Sequence, residues 1–146
     1  METATEIKVR YSETDAMGVV YHANYLLYLE VARTEFLEKL GFPYKSMEDA
    51  GFMSPVLSCN LQYGQSFGYG DTVVVYTSVS KVTAVKTEYY YRIFAKGDDP
   101  TRDKPRFTGT TLHCLVRSSD FKPVSQKKTF PELFAAYKEA LEPRGE

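Results

Sequence analysis

Hydrophobic and polar positions change their period along the chain, and each change marks an element. Residues Ile7 to Ser12 alternate apolar and polar, the pattern of a half-buried strand. From Asn24 to Leu40 there is neither Gly nor Pro, and Tyr25, Leu26, Leu29, Ala32, Phe36, Leu37 and Leu40 recur at steps of three and four. That spacing predicts one helix with a broad apolar stripe, closed by Gly41 and Pro43. At about 1.5 Å per residue the helix would be ~25 Å long, enough to lie across several strands. Glu30 with Arg33 and Glu35 with Lys39 are spaced to pair on its outer surface.

Beyond the helix the period drops to two. Met53–Tyr63, Thr72–Val82, Val85–Ala95 and Phe107–Arg117 are rich in Val, Thr and Tyr and are separated by turn residues, so they read as four more strands. Gly64 to Gly70 is glycine-rich and aromatic, a loop or a bulged strand end, and the charged stretch Lys96 to Pro105 is an exposed hairpin loop. Phe130, Leu133, Phe134, Tyr137 and Leu141 have helical spacing and predict a short terminal helix over Phe130–Leu141, packed on the sheet edge or on a partner. The order is therefore strand, long helix, four strands able to pair as an antiparallel meander, and a small helix, an α+β arrangement. One helix covers only part of one face of a five-stranded sheet, and the Tyr- and Val-rich remainder predicts a homodimer or larger assembly.

Composition narrows the function classes. A chain of 146 residues, 43% hydrophobic and 25% charged, is expected to form one domain over 1–146 with a real core. The net charge of -1 supplies no global field to recruit nucleic acid or an anionic membrane. No apolar run reaches the length of a membrane span and the N-terminus lacks a leader pattern, so a cytoplasmic location is expected. Cys59 and Cys114 stand outside any ligand spacing and are expected to be buried as small hydrophobes. His113-Cys114 has no further ligand at suitable spacing, so no metal is expected.

The chemistry concentrates between the first strand and the helix, in Tyr11-Ser-Glu-Thr-Asp15-Ala-Met-Gly18-Val-Val-Tyr21-His22-Ala-Asn24-Tyr25. A helix N-terminus presents unpaired N–H groups and about half a positive charge, which stabilises a carboxylate or a developing oxyanion. Asp15 lies just upstream, where a turn at Gly18 can fold its carboxylate back toward that terminus. On spacing alone Asp15 is equally a turn or helix cap, and His22 a surface or packing histidine.

This stretch resembles the signature of the 4-hydroxybenzoyl-CoA thioesterase family, hotdog-fold acyl-CoA thioesterases, and especially the branch associated with the Tol–Pal genes of the cell envelope. The resemblance is carried by Thr14-Asp15, Gly18, Val20-Tyr21-His22, Asn24-Tyr25 and Glu30-x-x-Arg33-Thr34-Glu35, in the family's order and spacing. It implies a hotdog fold, a five-stranded antiparallel sheet wrapped around one long central helix, with two protomers sharing a site at each end of their interface and dimers pairing into tetramers. It also implies hydrolysis of an acyl-CoA thioester to a free acid and CoA without a cofactor. Asp15 would be the catalytic carboxylate, as nucleophile or general base, and the backbone N–H of His22 would polarise the thioester carbonyl. Gly18 would let the backbone pass close to the thioester, and Tyr21 and Asn24 would shape the substrate-binding turn. Glu30 is a second acid on the helix, read as a structural partner of Arg33.

Between Tyr63 and Asp71, where relatives often carry a proline with a basic neighbour, this chain has Gly-Gln-Ser-Phe-Gly-Tyr-Gly. Lys81, Lys86, Arg106 and Arg117 are the remaining candidates for a basic patch at the CoA phosphates. Two rival readings stay open at this point: hydrolysis of an acyl carrier protein thioester, and a non-catalytic hotdog protein that binds an acyl group or a partner.

Overall fold

The computed structural model describes residues 1–144. Its long strands are β1 (Glu2–Lys8), β3 (Val56–Tyr63), β4 (Thr72–Val82), β5 (Lys86–Ala95) and β6 (Phe107–Arg117), with two-residue strands β2 (Phe52–Met53) and β7 (Pro123–Val124). The helices are α1 (Tyr25–Leu40), α2 (Tyr44–Asp49), α3 (Gln126–Thr129) and α4 (Pro131–Ala140), and short 3-10 turns occupy Tyr11–Glu13 and His22–Asn24. All strand pairs are antiparallel, in the order β1-β4-β5-β6, with β3 beside β6 and the two short strands on the last residues of β6.

Alternation along each strand decides what faces the helices. Val73, Val75 and Val79 of β4, Tyr89, Tyr91 and Ile93 of β5, and Phe107 and Leu115 of β6 are buried in one cluster with Tyr25, Tyr28, Leu29, Ala32, Phe36 and Leu37 of α1. The period of two thus turns one side of every strand toward a single helix stripe. The helix expected over 24–40 is present, but its buried stripe contains Tyr28 and leaves Leu26 39% exposed, the reverse of the expectation. Tyr28 goes inward because its hydroxyl finds a buried partner, as a buried tyrosine requires.

Several other expectations need correction. The first strand runs over Glu2–Lys8 instead of Ile7–Ser12, because Thr3 and Thr5 take the inward positions opposite Thr77 and Val75, and residues 11–13 turn away. The strand expected from Met53 breaks at Ser54-Pro55 into β2 and β3, since proline has no N–H to give to a ladder. Instead of a simple meander, β3 crosses over to pair with β6 while β1 takes the place beside β4. The terminal helix packs on the same sheet face as α1 and not at an edge: the Tyr89 ring meets Phe36 of α1 at 5.8 Å and Tyr137 of α4 at 6.2 Å, and the Tyr89 and Tyr137 hydroxyls share a 2.7 Å hydrogen bond. Both thiols are free, but Cys59 is exposed and Cys114 only half-buried, because Cys59 lies on β3, the outer strand, which is solvent-accessible along most of its length. No helix among the described residues is long and apolar enough to cross a membrane.

Candidate active site

Asp15 stands in a small closed loop. Its Oδ1 accepts the Met17 N–H at 2.9 Å and its carbonyl accepts the Gly18 N–H at 3.0 Å, while its own N–H donates to the Val19 carbonyl at 2.9 Å. Gly18 has φ of 77°, left-handed backbone that a side chain would strain, so the loop closes only with glycine there. The loop is stitched to the 64–70 segment by the Val19–Gly68 bridge and by the Val20 N–H donating to the Phe67 carbonyl at 2.9 Å.

Two residues earlier in the same turn region, Glu13 is a buried carboxylate. Glu13 Oε1 accepts the Arg10 backbone N–H at 2.8 Å and the Tyr28 hydroxyl at 3.0 Å, and Oε2 accepts Arg10 Nε at 3.2 Å and its terminal nitrogen at 3.1 Å. Burial pulls its pKa upward, but the hydrogen bonds from Arg10 and Tyr28 and the guanidinium charge outweigh burial and hold the carboxyl below its ordinary value. Its backbone carbonyl does separate work, accepting the Tyr21 N–H and Asn24 Nδ2, both at 2.9 Å.

That carbonyl ties the Asp15 loop to the start of the helix. With the Tyr21 N–H bonded to Glu13 and the Asn24 N–H to the Tyr21 carbonyl at 2.8 Å, the turn His22–Asn24 leads directly into α1. The N–H of His22 opens this helical run, and the first N–H groups of a helix have no partner within it. The start is pinned from below: Tyr63 donates its hydroxyl to the His22 carbonyl at 2.9 Å, and Tyr25 stacks on Phe107 with ring centroids 4.9 Å apart.

The sequence candidates therefore fall into two adjoining groups. Asp15 and Gly18 share the closed loop, Tyr21, His22 and Asn24 share the turn that opens the helix, and Glu13 joins them. Asn24 is half-buried with its amide donating to Glu13, whereas Gly18, Tyr21 and His22 are exposed. Glu13, Tyr28 and Tyr63 escaped the sequence reading: Glu13 lies next to the Thr14-Asp15 motif, which is a usable signal, but only the tertiary fold brings Tyr28 and Tyr63 to it.

Away from this region two expected pairings change. Glu35 and Lys39 form their ion pair at 2.8 Å, but Arg33 turns inward and donates to the Tyr91 hydroxyl at 3.0 Å instead of meeting Glu30. Tyr91 passes the chain to Thr111 at 2.7 Å and Thr111 to His113 at 2.8 Å. Burial, and then the Arg33 charge, push His113 down to about 4, so it is neutral at ordinary pH. The four basic candidates do not converge either, and Lys81 lies opposite Glu88 on the β4–β5 ladder. Lys86 pairs with Cys114 at one end of the β5–β6 ladder, whereas Arg106 sits at the other, with its guanidinium over the Phe67 ring at 4.9 Å. Arg117 is held by Asp120 at 3.1 Å.

A closed, carboxylate-bearing loop sewn to the start of a long helix that lies across an antiparallel sheet defines a hotdog protein of thioesterase type. Residues 9–137 match the pattern of the thioesterase-like superfamily, and the chain belongs to that family. It is 42% identical to YneP of Bacillus subtilis, provisionally named an acyl-CoA thioesterase, over 92% of this chain and 94% of that one. It is 30% identical to the acyl-CoA thioesterase YbgC of Helicobacter pylori, over 88% of this chain and 97% of that one. The structure is also similar to the DHNA-CoA thioesterase of Staphylococcus aureus, with a TM-score of 0.88 and 38% identity over 94% of this chain and 89% of that one.

Proposed function

We propose that this chain hydrolyses an acyl-CoA thioester to a free carboxylic acid and CoA. The observation that carries the reading is the Asp15 carboxylate, presented on a loop whose backbone is bonded to the opening turn of α1. In the proposed reaction the N–H of His22, reinforced by the dipole of the sixteen-residue α1, donates to the thioester oxygen and stabilises the charge that develops there. Asp15 either attacks the carbonyl carbon, giving an anhydride that water then cleaves, or takes a proton from the attacking water. In both routes the thiolate of CoA leaves and is protonated, and the carboxylic acid is released. Gly18 and Tyr21 line the approach, and Asn24 holds the turn. The reaction as proposed uses no cofactor and no metal.

The likeness to a DHNA-CoA thioesterase favours an aromatic acyl group as the first substrate to test, with acyl carrier protein thioesters as the rival donor. Membership of the narrower 4-hydroxybenzoyl-CoA and Tol–Pal-associated branch rests on the motif of residues 14–35. A homodimer, pairing further into a tetramer, and a cytoplasmic location complete the proposal. The dimer is supported by Leu27 and Val31 of α1 and Val56 and Leu57 of β3, each 47–51% exposed.

The test is CoA release from short, medium, long and aromatic acyl-CoA esters, comparing the protein with Asp15→Asn. Release that collapses in the variant supports the reading and ranks the acyl groups. Release that persists unchanged removes Asp15 from the chemistry, and no release from any ester leaves the carrier-protein and binding readings ahead.

A further inference from the structure

Two acids stand two residues apart at this site, and the reaction uses only one. Asp15 is half-buried on a turn whose tip, Ala16 to Gly18, is exposed, whereas Glu13 is 6% exposed and its carboxylate is surrounded by donors from its own turn and from α1. A buried charge with that many partners is costly to leave half-satisfied, so the group is held in one place. Its main-chain carbonyl has partners of its own, the Tyr21 N–H and the Asn24 amide. The effect on the helix start is specific. Bonding the Tyr21 N–H removes one donor from the approach and leaves His22 as the first N–H of the helical run.

We infer that Glu13 is the positioning residue of the site: its carboxylate, clamped between Arg10 and Tyr28, fixes the carbonyl that sets the separation between the Asp15 loop and the N–H of His22. This rests on the proposed thioesterase reading for its kinetic consequence, but the clamp itself is a statement about the backbone. Tyr28 links it to the core, since its ring is buried on the inner side of α1 while its hydroxyl reaches Glu13 across fifteen residues of sequence. Asn24 is the second strut, closing on the same carbonyl from the helix side. A misplacement of about 1 Å between reacting groups can cost on the order of a hundredfold in rate, so a clamp of this kind acts on turnover and much less on binding.

The experiment uses Glu13→Gln, which keeps the side-chain shape but replaces one acceptor oxygen by a donor facing Arg10 and Tyr28, together with the milder Tyr28→Phe. Acyl-CoA hydrolysis is measured alongside hydrogen exchange of the Tyr21 and Asn24 amides. For Glu13→Gln the expected result is a kcat lower by roughly ten- to a hundredfold with KM within about threefold, and faster exchange at both amides while the core amides stay protected. Tyr28→Phe should move the same readouts in the same direction by less. Unchanged kcat, or a fall in rate that merely follows loss of folded protein, overturns the inference. So does a folded Glu13→Gln protein in which both amides exchange as slowly as before. If the unaltered protein hydrolyses no thioester, the thioesterase reading fails by itself and the exchange measurement still decides whether Glu13 holds the turn.

Discussion

Two exposed turns in this molecule use the same local chemistry to different ends. In one, Asp15 Oδ1 accepts the N–H two residues on at 2.9 Å, and in the other Asp99 Oδ1 does the same with Thr101 at 2.9 Å. Each turn also contains a glycine in left-handed backbone, Gly18 at 77° and Gly97 at 97°. Within the 96–105 turn Asp99 takes Thr101 Oγ1 at 2.6 Å, Asp103 takes the Asp99 N–H, and Asp98 caps Ala95, while its ties outward run to the neighbouring strands, from Arg92 to the Pro100 carbonyl at 3.1 Å and from the Lys96 N–H to the Thr72 carbonyl at 3.0 Å. The Asp15 turn differs in where its outward ties lead, to Phe67 and Gly68 on one side and, through Glu13, to Tyr21, Asn24 and Tyr28 at the start of α1 on the other. An aspartate in a turn is common chemistry. What distinguishes the Asp15 turn is that distant parts of the chain fix its backbone against a helix terminus.

The comparison is broken most directly by exchanging the two carboxylates for amides. Asp15→Asn should lower kcat/KM by roughly a hundred- to ten-thousandfold on the best acyl-CoA ester, the range removed with a general base. Asp99→Asn should leave kcat/KM unchanged in the same assay. Equal behaviour of the two variants would mean that the outward ties carry no function.

A group belonging to neither turn calibrates the pH response. His113 is held near 4 by burial and by Arg33 against an ordinary 6.5, so the unfolded chain binds its proton first as pH falls. Stability should therefore drop between about pH 6.5 and 4, by up to about 3 kcal/mol from this group, and stop falling on its account below 4. Urea midpoints at intervals across that range should show a flatter curve for His113→Gln.

The glycines give the next effect. Gly18→Ala and Gly97→Ala should each lose on the order of 1–2 kcal/mol to left-handed strain, read as a lower melting temperature. Only Gly18→Ala should also lower kcat. Finally, Glu13 is held below its ordinary 4.5, so the stability it contributes is present above that value and is lost as pH falls through its lower folded value. Glu13→Gln should flatten the stability curve below about 4.5, a smaller change than that at His113.

Much of this was legible in the order of residues. The helix over 24–40 and the strands ending at Tyr63, Val82, Ala95 and Arg117 are visible in the sequence because their periods persist over eight residues or more. The first strand was misplaced because its inward residues are Thr3 and Thr5, polar by composition but small and β-branched enough to face a core. Asp15, Gly18, Tyr21, His22 and Asn24 stand in one compact motif, and the fold keeps them in two adjoining groups. Helical spacing pairs Arg33 with Glu30, yet it bonds Tyr91, fifty-eight residues away.

The sequence by itself determined most of the elements, the thioesterase-like family and the segment that holds the candidate site, because periodicity and a contiguous motif are local properties that survive without a fold. Tertiary structure alone decided that β3 crosses to β6, that α4 shares a face with α1, and that Glu13 meets Tyr28 while its carbonyl takes Tyr21 and Asn24. The physical reason is that a buried polar group takes whichever partner the folded chain brings within about 3 Å, and nothing in its own neighbourhood of sequence names that partner.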